Sequence, residues 1–372
     1  MSIPTPTAPD RAAQAVQGEQ GEQGGAMETL AGFAAYAAAM EQSGAPILGH
    51  LVLYSVFETE VTRDRLHLWF TELGLDDTFL PPPIRQVDAF EQITGPRGVR
   101  ATYQLTATPD ADAGPRPRRR RRGDEKVTEV TLMMRNVSRD NLKLVRHLVR
   151  EVRDEGAAEL SYDPKMAEIV FWRDPLGSGT PGVGVLQIHP DEAAIAQLSE
   201  SEQMKVRNTL DEAKQMYLRA CTYYTSDRLR SVLRTYVEGL NAVKVRTSGG
   251  VYFVHRAHEA PLAALRELVS RLGNGSHLAR VPLPDQEEMR EMVVTAITTK
   301  TREELEDLVV DIATARRDGA SEAKVEGLVK RFKAMQRSMA EHEELLGGSL
   351  DSTREAFKLV NAQVTSLLAT AW

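Results

Sequence analysis

The spacing of apolar residues changes once along this chain, near residue 196, and that change limits the folds open to it. Before it, short β-branched runs alternate with short helical patterns, which predicts an α+β domain over 45–195. After it, apolar residues recur mostly every three or four positions, which predicts helices interrupted by one hairpin, with an all-α C-terminus.

In the first half, "GHLVLYSVF" (49–57) reads as a buried strand. "TRDRLHLWFTELGL" reads as a helix capped by Thr62 and stopped by Gly74. "RQVDAFEQITG" predicts a second helix. "GVRATYQLTATP" and "KVTEVTLMMRNV" alternate as the two strands of a hairpin, whose tip is an arginine-rich loop over 109–124. "SRDNLKLVRHLVREVRDEG" places Leu142, Val145, Val149 and Val152 at helical spacing and predicts a helix over 139–153. "AELSYDP" and "KMAEIVFWRD" predict a strand pair turning at Asp163-Pro164, and "VGVLQIH" one more strand.

In the second half, "SEQMKVRNTLDEAKQMYLRACTYY" and "SDRLRSVLRTYVEGL" predict two helices, and "AVKVRTSGGVYFV" a tight hairpin. Two helices followed by a hairpin, over 196–283, are the later parts of a winged helix. "LAALRELVSRLG" returns to helix. Thr301 with Glu304 forms a capping-box pattern that opens the helical region, 284–372. There Val325, Leu328, Phe332, Met335, Met339, His342 and Leu346 keep a strict 3-4 alternation, the seam of a coiled coil. The first five are the expected oligomerisation or partner-docking residues. Ser352 with Glu355 opens a closing helix carrying Phe357, Val360, Val364 and Leu367.

Composition narrows the functional classes. The net charge is −7, which excludes a uniformly basic coat and leaves only local basic surfaces. Cys221 is the single cysteine, so no intramolecular disulfide or multi-cysteine metal site is available, as in a reducing compartment. Residues 1–26 are Gly/Gln/Pro-rich and predict a disordered tail without the basic and apolar regions of a secretory signal. The apolar stretch 27–44 falls short of the roughly 20 apolar residues a membrane span needs and predicts a docking helix. A cytoplasmic protein without a membrane partner is the expectation.

Catalytic signatures are weak. "GSGTPG" satisfies G-x-G-x-x-G, but a strand follows where a dinucleotide site needs a helix N-terminus, so it reads as a turn and no cofactor is expected. "HRAHE" groups His255, His258 and Glu259, yet a loop does not hold three groups at one metal, so exposed histidines are expected and no metal site. No nucleophile elbow is present. A metal-dependent enzyme using this cluster remains the outlying rival.

The basic segments are more informative. Residues 203–256 carry ten Lys/Arg against Asp211, Glu212, Asp227 and Glu238, a local charge of +6. On the winged-helix reading, Arg228, Arg230 and Arg234 lie on the polar side of the second helix, with Lys244 and Arg246 on the hairpin. Arg139, Lys143, Arg146, Arg150 and Arg153 follow 4-3-4-3 spacing and predict a cationic stripe on the 139–153 helix. Arg118, Arg119, Arg120, Arg121 and Arg122 would form a flexible arm beside it. DNA or RNA, bound through phosphates, is the expected partner of these surfaces. The bland reading of each is a solvated face, and the rival function is an adaptor for a separate ATPase.

The stretches "LVLYSVFETEVTRDRL", "RHLVREVRDE…LSYDP" and "SGGVYFVHRAH", together with the long helical tail, resemble a family of uncharacterised proteins from actinobacteria and their phages. The resemblance covers the chain after about residue 45 and implies no site residues.

Overall fold

Strands here form where β-branched residues can bury one face, and helices form where caps and spacing allow. The computed structural model describes residues 32–40, 42–105, 128–154, 161–162, 165–174, 182–246, 250–319 and 321–346, and parts of a last helix at 357–358, 360–362 and 365. The chain divides into two compact units, one of residues 82–224 and one of residues 1–81 with 225–372. This division differs from a sequential split at residues 195 and 283, because the first unit is inserted into the second.

In chain order, the discontinuous unit begins with α1 (residues 32–40), β1 (Ile47–Ser55), β2 (Glu60–Thr62) and α2 (Arg63–Leu73). The inserted unit holds α3 (Gln86–Ile93), β3 (Arg100–Leu105), β4 (Thr128–Arg139), β5 (Lys143–Asp154), β6 (Ser161–Tyr162), β7 (Ala167–Arg173), β8 (Gly184–Pro190), α4 (Glu192–Ile195) and α5 (Glu200–Thr222). Strand β9 (Tyr223–Thr225) crosses the boundary. The discontinuous unit then resumes with α6 (Ser226–Gly239), β10 (Val243–Lys244), β11 (Tyr252–His255), α7 (Glu259–Arg271), β12 (His277–Pro284), α8 (Glu287–Asp318) and α9 (Glu322–Leu346).

The inserted unit is an antiparallel sheet in the order β3-β4-β5-β7-β8, with β6 added beside β5. Segment 139–153, expected as a helix, is mostly strand β5, paired with both β4 and β7. In a strand the period is two, so Leu144, Arg146, Leu148, Arg150 and Val152 share one face. That face meets Phe90 and Ile93 of α3 and Val206, Leu210, Ala213 and Tyr217 of α5 in one core. Strand β7 pairs with β5 and β8, not with the 161–162 segment as expected. Gly184 is required where β8 begins, because a Cβ there would stand 2.3 Å from the Phe171 ring.

The helical reading of β5 put five cations in one stripe, and the strand divides them. Lys143 and Arg153 are on the face away from the core. Arg139 ends β4 and pairs with Glu91 at 3.1 Å. Arg146 is buried, with its guanidinium 5.5 Å from the Phe90 ring centre. Arg150 donates from Nε and Nη2 to Glu202 Oε1 at 3.2 and 2.7 Å, with side-chain exposures of only 11% and 10%. Tyr103 and Ser199 complete the Glu202 shell with hydroxyl hydrogen bonds at 3.2 and 2.9 Å. Burial raises the Glu202 carboxyl, but these hydrogen bonds outweigh it and leave the group below the usual carboxylate range.

The discontinuous unit has its own antiparallel sheet, β10-β11-β1-β12. Expected caps hold: Thr62 Oγ1 accepts from Arg65 N at 3.3 Å, and Gly74 terminates α2 at φ 64°. Helices α2, α6 and α7 bury Phe70, Leu233 and Leu265, with the Phe70 and Tyr236 rings edge-on at 6.2 Å. A second core joins Leu48, Val243, Phe253 and Leu283 of the sheet segment to α8, α9 and the last helix. The capping-box pattern at Thr301 does not start a helix, since α8 runs unbroken from Glu287 to Asp318.

Two further expectations change. The seam residues Val325, Leu328, Phe332, Met335 and Met339 are buried against Leu305, Leu308, Ile312, Phe357 and Val360 of the same chain. It is an internal packing face, not one left open for a second copy. The helix pair of the expected winged helix is divided, since α5 packs in the inserted unit and α6 in the other. The hairpin β10–β11 is built into a four-stranded sheet with β1. The 109–124 loop with Arg118–Arg122, the 1–26 tail and the glycine loop at 177–181 lie outside the described residues.

The strand and its ion pair predict unequal effects of two neighbouring cations. Arg150→Ala strands the Glu202 carboxylate in the core and should cost about 3–5 kcal/mol in denaturant unfolding. Arg153→Ala removes an exposed side chain and should change stability by less than about 0.5 kcal/mol. Equal, small effects would mean that 143–154 is a solvated stripe after all.

Candidate nucleic-acid interface

Of the cations expected at phosphate, the structure brings some together and disperses others. Among the ten in 203–256, Lys205, Arg207, Lys214 and Arg219 belong to the inserted unit. Lys205 sits 4.2 Å from the centre of the Tyr103 ring, and Arg207 pairs with Glu192 at 2.8 Å. The remaining six are on the other unit.

Helix α6 starts at Ser226 and turns its apolar residues Leu229, Val232, Leu233, Tyr236 and Val237 into the core. Its arginines are thereby placed on the flanks. Arg230 is committed to the fold: Nε and Nη2 donate to the Val56 carbonyl at 3.1 and 2.6 Å, and Nη1 to Asp227 at 2.5 Å. It clamps the end of β1 to α6, and its guanidinium is engaged within the fold. Arg228 is exposed but six residues from Arg234, about 120° around the helix, and faces elsewhere.

Arg234 points toward a different feature. Tyr54 on β1 and Tyr252 on β11 stack with ring centres 6.4 Å apart and planes 15° from parallel. The charge of Arg234 acts on both phenols. Lys244, opposite Tyr252 on β10, holds its ammonium 6.0 Å from the centre of that ring. Arg246 follows two residues on and is exposed. Burial and the neighbouring Tyr252 push the Tyr54 phenol up to about 12, opposed by Arg234 and assisted by Glu238. Both phenols are therefore neutral at physiological pH. The arrangement is a tyrosine pair with Arg234, Lys244 and Glu238 about it, and the exposed Arg246 two residues along the chain from Lys244. Neither tyrosine was singled out from the sequence, although the Val52-x-Tyr54 and Tyr252-x-Val254 alternation placed them on the same sheet faces as valines.

The histidines of "HRAHE" do something other than expected. His255 is buried, and its Nδ1 accepts from Ala257 N at 3.0 Å as the cap of a short helical turn. His258 Nε2 lies 3.0 Å from Glu341 Oε1 on α9, and Asn241 also donates to Glu341. His342, a seam residue, is buried beside them and under the charge of Lys300, whose Nζ donates to the Ala242 carbonyl at 3.0 Å. Among the described residues no group of three His, Cys, Asp or Glu side chains is arranged to hold a metal. The cluster is a polar lock between α9 and the sheet.

Its titration has a definite sign. Burial first, then the charge of Arg256 and the neighbouring His258, lowers His255 to about 4. Burial first, then Lys300, lowers His342 to about 4. Glu341 opposes both. The unfolded chain takes up these protons near the ordinary histidine value of roughly 6.5, and the folded chain resists until about 4, so stability falls as pH drops through that window. The loss should be on the order of 2 kcal/mol per histidine between pH 7 and 5. His342→Leu should flatten the dependence of thermal midpoint on pH across this range; an unchanged slope would contradict the assignment.

No helix among the described residues is long and apolar enough to cross a membrane. Nothing among curated proteins and nothing among solved structures matches the chain. A family model does match, over residues 47–372, which takes in both units and the sheet corner around Tyr54 and Tyr252. The chain belongs to the DUF6744 family, a family of unknown function.

Proposed function

We propose that this protein is a non-enzymatic polyanion binder that contacts the phosphates of DNA or RNA through Arg234, Lys244 and Arg246. One observation carries the reading: exposed cations from a helix and an edge strand meet at the Tyr54–Tyr252 corner, with Glu238 as the acid acting there. Exposed cations on the C-terminal helices of this unit find acids, as with Arg302–Glu306 and Arg331–Asp311. The corner's cations make no such pair among the described residues. Tyr252 is buried and Lys244 already lies over it, so the ring stiffens the cation's position and does not serve as a platform for a base. The contact is with phosphate, and sequence selectivity is not expected from it.

Binding of this kind releases counterions, so each phosphate-contacting cation contributes about one unit to the slope of log affinity against log salt. Anisotropy titrations with duplex and single-stranded probes should show that Arg234→Ala, Lys244→Ala and Arg246→Ala each lower that slope by about one. Arg302→Ala should leave it unchanged. No wild-type binding at low salt would overturn the proposal and favour a protein adaptor in its place.

A further inference from the structure

Helix α1 does more than dock. Its residues Phe33, Ala34, Ala37 and Ala38 form one face over the corner between α7 and β12, and a cavity of about 430 Å³ remains between them. The pocket opens to solvent, and ligand pockets run to roughly 300–1,000 Å³. The three alanines create the space, because their side chains end one carbon from the helix backbone. A leucine in their place would fill much of it.

The chemistry of the wall has one sign. Arg266, Arg280 and His277 line the cavity together with the hydroxyls of Ser270 and Ser276, and no acid lines it. Arg266 has no ion-pair or hydrogen-bond partner among the described residues. Ser276 is buried, and its Oγ accepts from Phe57 N at 3.1 Å, which leaves the hydroxyl proton to donate. His277 Nδ1 is engaged with the Gly275 carbonyl at 2.9 Å, so Nε2 is the ring nitrogen open to another partner. Phe33 and Leu278 supply an apolar wall beside these donors.

We infer that this cavity is a binding site for a small organic phosphate, a compound with one phosphate monoester group and a compact apolar or aromatic portion. The doubly charged phosphate matches two guanidinium groups and an imidazole, and its remaining oxygens take the serine donors. The apolar portion lies against Phe33 and Leu278. The site shares no residue with the Arg234–Lys244–Arg246 corner, although Leu278 lies opposite Tyr54 across the β1–β12 ladder.

AMP is a suitable probe, with adenosine and inorganic phosphate as its two halves. On the full chain, calorimetry should show saturable binding of AMP at one site and a rise in thermal midpoint, with adenosine inactive and inorganic phosphate at least tenfold weaker. Arg266→Gln removes an exposed, unpartnered cation and should weaken AMP at least tenfold without changing the unliganded midpoint. Ala37→Leu should abolish binding by filling the cavity, and Ala38→Leu does the same where the first variant disturbs α1. Arg234→Ala should bind AMP as the wild type does. Failure of AMP to saturate at millimolar concentration would overturn the inference. So would adenosine or inorganic phosphate binding as tightly as AMP, or undiminished binding by Arg266→Gln and both leucine variants.

Discussion

A guanidinium taken out of water is costly without a partner, and Arg150 meets that cost with the Glu202 carboxylate. Arg150 stands in the middle of a strand, and Glu202 in the first turn of a helix some fifty residues later. Their bond, supported by Tyr103 and Ser199, fixes the start of α5 on the sheet of the inserted unit. Much else follows. Helix α5 belongs to the inserted unit and α6 to the other, so the cations between residues 203 and 256 are shared out between two separately packed units.

Part of this was legible in the sequence. Thr62 and Gly74 mark the ends of α2 by local chemistry alone, and local chemistry decides them. Segment 143–154 misleads because Arg146 and Arg150 interrupt the apolar alternation on the core face. Read at a helical period, the same residues make a plausible stripe. Its valine content was the better signal. Strand β12 has no counterpart in the sequence reading; it carries Pro282 and Pro284 and lies at the sheet edge, where proline is tolerated. The 3-4 seam of α9 correctly marks a buried face, but spacing does not say whose surface buries it. Here α8 and the last helix do.

The same logic sorts the charged groups by role. Arg150 and Arg230 are structural, each bound to a carboxylate, and Arg230 also to a main-chain carbonyl. His255 and His342 are structural while neutral and become a cost when protonated, so the packing of α9 is tied to pH. Arg234, Lys244 and Arg246 are left at the surface with one acid beside them. Sequence spacing cannot separate these classes, because it reports charge and not whether a partner from another element has neutralised it.

That separation is the centre of the account, and arginine-selective labelling with phenylglyoxal, read by mass spectrometry, tests it directly. Arg150 should resist labelling in the folded chain whether or not an oligonucleotide is present. Arg234 and Arg246 should label readily in the free protein and become protected when a DNA or RNA oligonucleotide is added, while Arg302 and Arg337 label equally in both. Ready labelling of Arg150, or protection spread evenly over Arg302 and Arg337, would contradict it.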